Sequence, residues 1–418
     1  MRIFQKIRER NDHKLLVLFD QAIVSGSNFI MGILVARFLG IEQFGIFGFI
    51  YLIYLFGLGL QQAFFVIPLY SLGVAFGGIK QKAYLDSLLF LQLLTAIIFS
   101  VVCVVALIIF PFDFSLEIVQ FSSLIGVTSF FILVQDFIRR LFLYKRELKD
   151  VLALDFIAYG SQLVFLSAFV FADNLQLKTC LMVVCVSMFL AVVYGFYKIE
   201  KPQFSIKKIK EIFLIHWSYS KWLLARAILT YSSGNFFIIA AGTILGPVAI
   251  GAIKMGQNLH GVINVFFLAV ENHVPIVTAS LYKKNGKQAM YSYLRSTSLK
   301  SIAICSFFGV AVLVFSGWLI SSLYGSEYQI YSYVLIWFAI INLLVCISMP
   351  FRFALRTFEK TSDLFLATVF TAVFGLLFAY PLIQNFQLYG VLMGLLISQL
   401  IMIACLSYSV FFRQKSIA

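Results

Sequence analysis

Apolar runs of about 20 residues follow one another along nearly the whole 418-residue chain, separated by short polar stretches. A helix needs about that length to cross the hydrocarbon core of a bilayer. Charged residues make up only 12% of the sequence and apolar residues 61%, with a mean hydropathy of +0.97. A soluble domain carries about 25% charged residues. The pattern therefore predicts an all-α polytopic membrane protein. Twelve spans are expected, at 15–38, 45–67, 86–110, 117–137, 151–171, 177–197, 222–244, 249–271, 299–322, 331–349, 362–383 and 388–411. The basic start 1–14 runs directly into the first span without a small-residue cleavage site, as in a retained first helix.

The charges supply the topology. Alternate loops, beginning with 1–14 and including Lys82, Arg139, Arg140, Lys207, Lys284 and Arg356, hold 27 of the 32 Lys and Arg residues. The opposite loops hold Glu42, Asp113, Glu117, Asp173 and Glu327, with Lys178 as their one clear cation. Positively charged loops stay inside, so both termini are expected in the cytoplasm. The net charge of +14 is accounted for by this topology signal, and no nucleic acid partner is inferred. The six cysteines lie in apolar spans without metal-type spacing and read as small hydrophobes. No metal or cofactor is expected.

The longest polar connector, 198–221, separates a first bundle of six spans (15–197) from a second (222–411), with a cytoplasmic tail at 412–418. Its second half alternates Lys with Ile, Phe and Trp, which suggests an amphipathic helix on the cytoplasmic face. The two bundles echo each other. Asn28, Gly40, Gly45 and Pro68 recur as Asn235, Gly246, Gly251 and Pro275, at offsets of 206 or 207. Six spans per half give both halves the same orientation, so a pseudo-twofold axis along the membrane normal is expected, with a substrate cleft between the bundles.

Charges inside spans are the functional candidates, because each costs roughly 2.5 kcal/mol or more unless it faces protein or water. Lys254, Gln257, Asn258, His260, Gly261, Asn264, Glu271 and Asn272 share one arc of span eight at 100° per residue. Two readings stay open for this stripe: a wall of the cargo cavity, or a helix–helix interface joined by amide hydrogen bonds. Arg226, one turn inside span seven, has a guanidinium fork suited to a pyrophosphate. Arg37 lies at the outer mouth of span one, and Lys221 anchors the edge of span seven. The repeat sets Asp20 at the depth of Arg226, which suggests a pair that parts when an anion enters. Asp20 and Glu271 are the candidates for ion coupling; Asp136 reads as a local partner of Arg139 and Arg140, and Asp155 lies near a cytoplasmic helix end.

The stretch from Arg37 to Phe47, RFLGIEQFGIF, resembles the first-hairpin hallmark of polysaccharide flippases in the multidrug/oligosaccharidyl-lipid/polysaccharide exporter superfamily. Ile244 to Gly251, ILGPVAIG, resembles the corresponding hairpin of the second half. The chain departs from many members in having Asn235 where an acid is common and Ile253 where an aromatic is common. The resemblance implies alternating access between two six-helix bundles in the bacterial cytoplasmic membrane. Its implied cargo is an undecaprenyl-pyrophosphate-linked oligosaccharide repeat unit, moved to the outer leaflet for O-antigen or capsule synthesis. Implied partners are this anionic lipid-linked cargo, membrane lipid, and the polysaccharide polymerase and chain-length machinery. The alternatives are a multidrug or cation exporter on the same scaffold, or a membrane glycosyltransferase or polymerase. An exporter of cations needs acidic cavity groups; a glycosyltransferase needs an acidic metal-binding pair or a large outer loop. Neither pattern stands out, and no phosphate-binding Walker loop occurs.

Overall fold

The computed structural model describes residues 2–76, 79–109 and 116–412. Asp113, residues 413–418 of the expected tail, and the side chains of 1–14, Lys80 and Glu117 lie outside the described residues. Among the described residues the chain is helical, with no strand. In order run α1 (Arg2–Gln61), α2 (Ile67–Leu72), α3 (Ile79–Ile109), α4 (Leu116–Gln120), α5 (Ser122–Lys145) and α6 (Leu148–Asp155). Then come α7 (Ser161–Phe171), α8 (Leu177–Lys198), α9 (Ile206–Leu245), α10 (Pro247–Leu323), α11 (Tyr333–Thr357) and α12 (Thr361–Phe411).

Three helices are broken by one residue each: α1 at Gly40, α10 at Gly286 and α12 at Gln387, all with positive φ. Two π-turns, at 62–66 and 156–160, join α1 to α2 and α6 to α7 without interrupting the rod. Read this way, the described residues form twelve rods at the positions of the twelve expected spans. Several rods run well past the apolar run that marks them. The 40 residues of α9 span about 60 Å at 1.5 Å each, twice the hydrocarbon thickness. Hydropathy detects the apolar middle of a rod, whereas backbone hydrogen bonding carries the helix on into polar sequence.

Two compact units emerge: residues through Leu39 with Ile46–Ile228, and Gly40–Gly45 with Leu229–Ala418. The expected connector helix differs from the structure. Residues 206–221 are the start of α9 rather than a separate surface helix. Ile209, Ile212, His216 and Ser220 recur on one face and are buried. Ile209 and Ile212 join the first unit's core beside Phe64, Phe65, Leu69, Tyr84, Leu88 and Phe137. One face of the amphipathic stretch is thus buried in a protein groove. The second unit's core centres on Phe267, Met290, Leu294, Met349 and Phe353.

The repeated glycines have a division of labour. Gly40 and Gly246 take φ of 79° and 87°, a region that disfavours side chains. Gly45 and Gly251 serve close approach: a Cβ on Gly45 would sit 1.9 Å from the Pro247 carbonyl oxygen, and one on Gly251 would sit 2.3 Å from that of Ile41. The segment 40–45 therefore packs backbone to backbone on the start of α10. Gly45→Ala and Gly251→Ala should each destabilise the protein by roughly 1–3 kcal/mol, whereas Gly59→Ala, which meets nothing within 4 Å, should not. Thermal unfolding of the detergent-solubilised variants measures the difference.

Candidate functional site

Arg139 lies in the last two turns of α5, where its face turns into the first unit. Its Nη2 donates to Asp20 Oδ2 and its Nε to Asp155 Oδ2, each at 2.5 Å. The three side chains are only 15%, 9% and 0% exposed. Gln135 Nε2 donates to the other oxygen of Asp155 at 3.1 Å. At the next residue, Arg140 pairs with Asp136 at 3.3 Å. Gln61 Nε2 donates to Asp136 Oδ2 at 2.9 Å, and Gln92 Nε2 donates to Gln61 Oε1 at 2.7 Å. This polar network stitches five rods of the first unit, from Asp20 on the first to Asp155 on the fifth.

Two features make the network more than a structural bond. Asp20 and Asp155 share a single guanidinium, so the trio carries one excess negative charge, and Asp20 Oδ1 has no hydrogen-bond partner. Both π-turns begin directly after network residues, at Gln61 and Asp155. Such turns concentrate where a helix is adapted to function. The first also presents the Phe64 carbonyl, which accepts hydrogen bonds from His216 Nδ1 at 3.0 Å and Ser220 Oγ at 3.4 Å. With its Nδ1 donating, neutral His216 accepts at Nε2 from the Tyr84 hydroxyl, 2.9 Å away.

Several expectations need correction here. Arg139 was expected among the loop cations, but it is a core cation; its counterpart Arg352, also expected in a loop, lies within α11 and pairs with Glu271 at 3.9 Å. Asp20 pairs with Arg139 in this structure rather than with Arg226, which is exposed on α9. Asp155 is a buried network member rather than a helix-end charge. Asp136 does pair locally, with Arg140. The signal that could have exposed Arg139 is its position, three residues after the Gln135–Asp136 pair at the end of an apolar helix run.

In the second unit the polar stripe of α10 divides. Its edges are used in packing. Asn258 Nδ2 donates to the Tyr324 hydroxyl at 2.8 Å. His260 Nε2 donates to the Leu335 carbonyl at 3.0 Å, and its Nδ1 accepts from Asn342 at 3.1 Å. Glu271 turns to Arg352. The centre of the stripe, Lys254, Gln257 and Asn264, is partly or fully exposed. No acidic partner for Lys254 occurs among the described residues, nor for Arg226. Arg37 and Lys221 are exposed on their rods. The structure does not gather these cations around one point within either unit: Arg226 and Arg37 belong to the first and Lys254 to the second. Cys305 and Cys346 bring their sulfurs to 2.8 Å in the second core, with both thiols free.

Residues 223–381 match the MatE family. A curated relative, the probable low-salt glycan biosynthesis flippase Agl15 of Haloferax volcanii, is 26% identical over 209 residues. That match spans 49% of this chain and 43% of the relative, so less than half of the relative's length is covered. Among solved structures, the lipid II flippase MurJ in an inward closed conformation superposes with a TM-score of 0.73 at 14% identity, over 95% of this chain and 87% of that one. An inward-facing multidrug resistance MATE family transporter of the MOP superfamily gives 0.66 at 15% identity, over 95% and 96%. A MOP superfamily transporter from Pyrococcus furiosus, described as having a binding pocket of reversed polarity, gives 0.58 at 13%, over 96% and 94%. The fold is therefore that of the MOP superfamily transporters, and the family resemblance is to transporters rather than enzymes.

Removing one partner of a buried ion cluster strands the others. Arg139→Ala should destabilise the protein by about 3–5 kcal/mol, with part of the loss recovered when Asp20 and Asp155 are also replaced by Asn. Arg226→Ala, at an exposed position, should stay within about 0.5 kcal/mol of the parent. Melting temperatures of the purified variants test both statements.

Proposed function

We propose that this protein flips an anionic lipid-linked oligosaccharide from the cytoplasmic to the outer leaflet by alternating access. The observation that carries this reading is the sign of the uncommitted charge. Asp136 and Glu271 each pair with an arginine and Asp20 and Asp155 share Arg139, while Lys254 and Arg226 sit on membrane helices with no acidic partner among the described residues. An exporter of cations needs the reverse. Lys254, with Gln257, Asn258 and Asn264 beside it, and Arg226 serve as successive stations for a pyrophosphate headgroup, with Arg37 at the outer mouth.

An undecaprenyl-pyrophosphate carrier in a bacterial cytoplasmic membrane, with both termini cytoplasmic, fits the hairpin resemblance and the loop charges. The relatives named for glycan and lipid II flipping support that cargo class. Polysaccharide polymerase and chain-length machinery would then act on the flipped product. The excess carboxylate at Asp20 and Asp155 supplies a proton site that could couple the cycle to the membrane gradient.

In a deletion strain, lipid-linked glycan should accumulate on the cytoplasmic leaflet and surface polysaccharide should fall. Lys254→Ala and Arg226→Ala should each lower restored flipping about tenfold, the worth of one charge-assisted contact, and Lys254→Arg should retain most of it. Unchanged glycan in the deletion strain would refute the reading. In proteoliposomes with an imposed pH gradient, Asp20→Asn should lose the gradient's stimulation while keeping any basal exchange.

A further inference from the structure

A pocket of about 550 Å³ opens in the first unit between α3, the turn from α5 to α6, and the connector that precedes α9. That volume lies in the range of ligand pockets, roughly 300–1,000 Å³. Leu85, Leu89, Leu141 and Ile199 form its apolar wall. Its polar lining holds three cations, Lys82, Lys145 and Arg146, and three carboxylates, Asp86, Glu147 and Glu200. The formal charges cancel, yet they are not paired off. Of the six, Lys82 and Glu200 form the one ion pair among the described residues, at 2.6 Å.

Asp86 is the most buried of the six, at 7% exposure. Its Oδ2 accepts from the Gln203 backbone N–H at 3.0 Å. Its Oδ1 has no donor among the described residues and, unlike Asp20 Oδ1, is not sealed off by protein; it keeps its surface where Asp86 lines the pocket. Lys82, one turn earlier on α3, is drawn to Glu200 and acts on Asp86 only at longer range. A carboxylate so placed calls for a donor that carries positive charge. A metal ion is a poor occupant, since no three acidic, His or Cys side chains converge on one point among the described residues. The α5 side of the pocket is cationic and firmly held. Arg146 takes a φ of 63°, and its N–H donates to the Leu143 carbonyl at 3.1 Å while that of Glu147 donates to the Phe142 carbonyl at 2.9 Å. Lys145 and Arg146 stand exposed on this turn. Beside them the Tyr144 hydroxyl accepts from Gln81 Nε2 at 3.0 Å, which leaves its own hydrogen to give.

We propose that this pocket binds a phosphoethanolamine zwitterion, whose ammonium donates to Asp86 Oδ1 and whose phosphate takes Lys145, Arg146 and the Tyr144 hydroxyl. A molecule with separated charges and no net charge matches a lining of the same kind. A purely anionic group would leave Asp86 uncompensated, and a purely cationic one would meet Lys145 and Arg146. A quaternary ammonium has the charge but no N–H, so it cannot donate to Asp86. The apolar wall takes the glycerol end of the molecule. The site is separate from the proposed anion stations and does not depend on them. The same zwitterion is carried by a bilayer phospholipid and by soluble glycerophosphoethanolamine, two sources that experiment separates.

Native mass spectrometry of the full-length protein in detergent, offered equal amounts of phosphatidylethanolamine, phosphatidylcholine and phosphatidylglycerol with matched chains, tests the proposal. Phosphatidylethanolamine should be retained about tenfold over each of the others, as one charge-assisted hydrogen bond gives. Asp86→Asn, which still accepts from Gln203, should remove the preference over phosphatidylcholine. Lys145→Gln combined with Arg146→Asn, an Asn being tolerant of the left-handed turn, should weaken both zwitterionic lipids alike. Added glycerophosphoethanolamine separates the sources. Displacement of the phospholipid at equal concentration supports a soluble ligand and its persistence a bilayer one, and either result supports the site. Equal retention of the three phospholipids, or a preference that survives Asp86→Asn, would overturn the proposal. The comparison of lipids on the unsubstituted protein decides the matter even where a variant fails to fold.

Discussion

A guanidinium clasped by two carboxylates inside an apolar helix bundle organises the first unit. Arg139 lies between Asp20 and Asp155, so rods one, four and five are joined by charge rather than by shape alone. In a bilayer, apolar burial does little to choose between helix faces, because lipid tails are as apolar as leucine. Polar groups that must find partners do that choosing. From Arg139 the requirement spreads through Gln135 to Asp155, and through the neighbouring Asp136 to Gln61 and Gln92. The direction of each amide follows from the carboxylate at the end of its chain. One oxygen, Gln92 Oε1, is left over and buried without a partner.

The same requirement explains the π-turns. Each widens a rod just after a network residue, and the first exposes the Phe64 carbonyl to His216 and Ser220. The start of α9 is thereby tied to the first unit by hydrogen bonds within apolar surroundings. Lys82 with Glu200, and the Gln203 backbone N–H with Asp86, add ties along the preceding connector. Lys82 holds the Glu200 carboxyl below its usual range, though both groups are exposed and the pair contributes little to stability. The second half of the connector is thus continuous with α9 and packed on the first unit's core.

In the second unit the same logic sorts a stripe that sequence alone left ambiguous. Members at the edges of the arc meet hydrogen-bond partners on neighbouring segments, at Tyr324, Leu335, Asn342 and Arg352. Members at its centre do not, and Lys254 is one of them. The packing reading therefore holds for the residues at its edges.

Much of the fold was legible in the sequence. Twenty-residue apolar runs dictate membrane helices, and twelve rods stand at their positions. The spacing of Gly40, Gly45, Gly246 and Gly251 marks two equivalent breaks, since only glycine tolerates both the positive φ and the backbone contact found there. Charge partnership was not legible. Arg139 and Arg352 look like loop cations in a hydropathy plot, because their helices end within a few residues and the apolar signal has already faded. Asp20 and Arg139 are 119 residues apart, and no local pattern links them. Sequence fixes which groups cannot be left alone in lipid; tertiary structure decides which of them satisfy one another, because that depends on where distant helices pack.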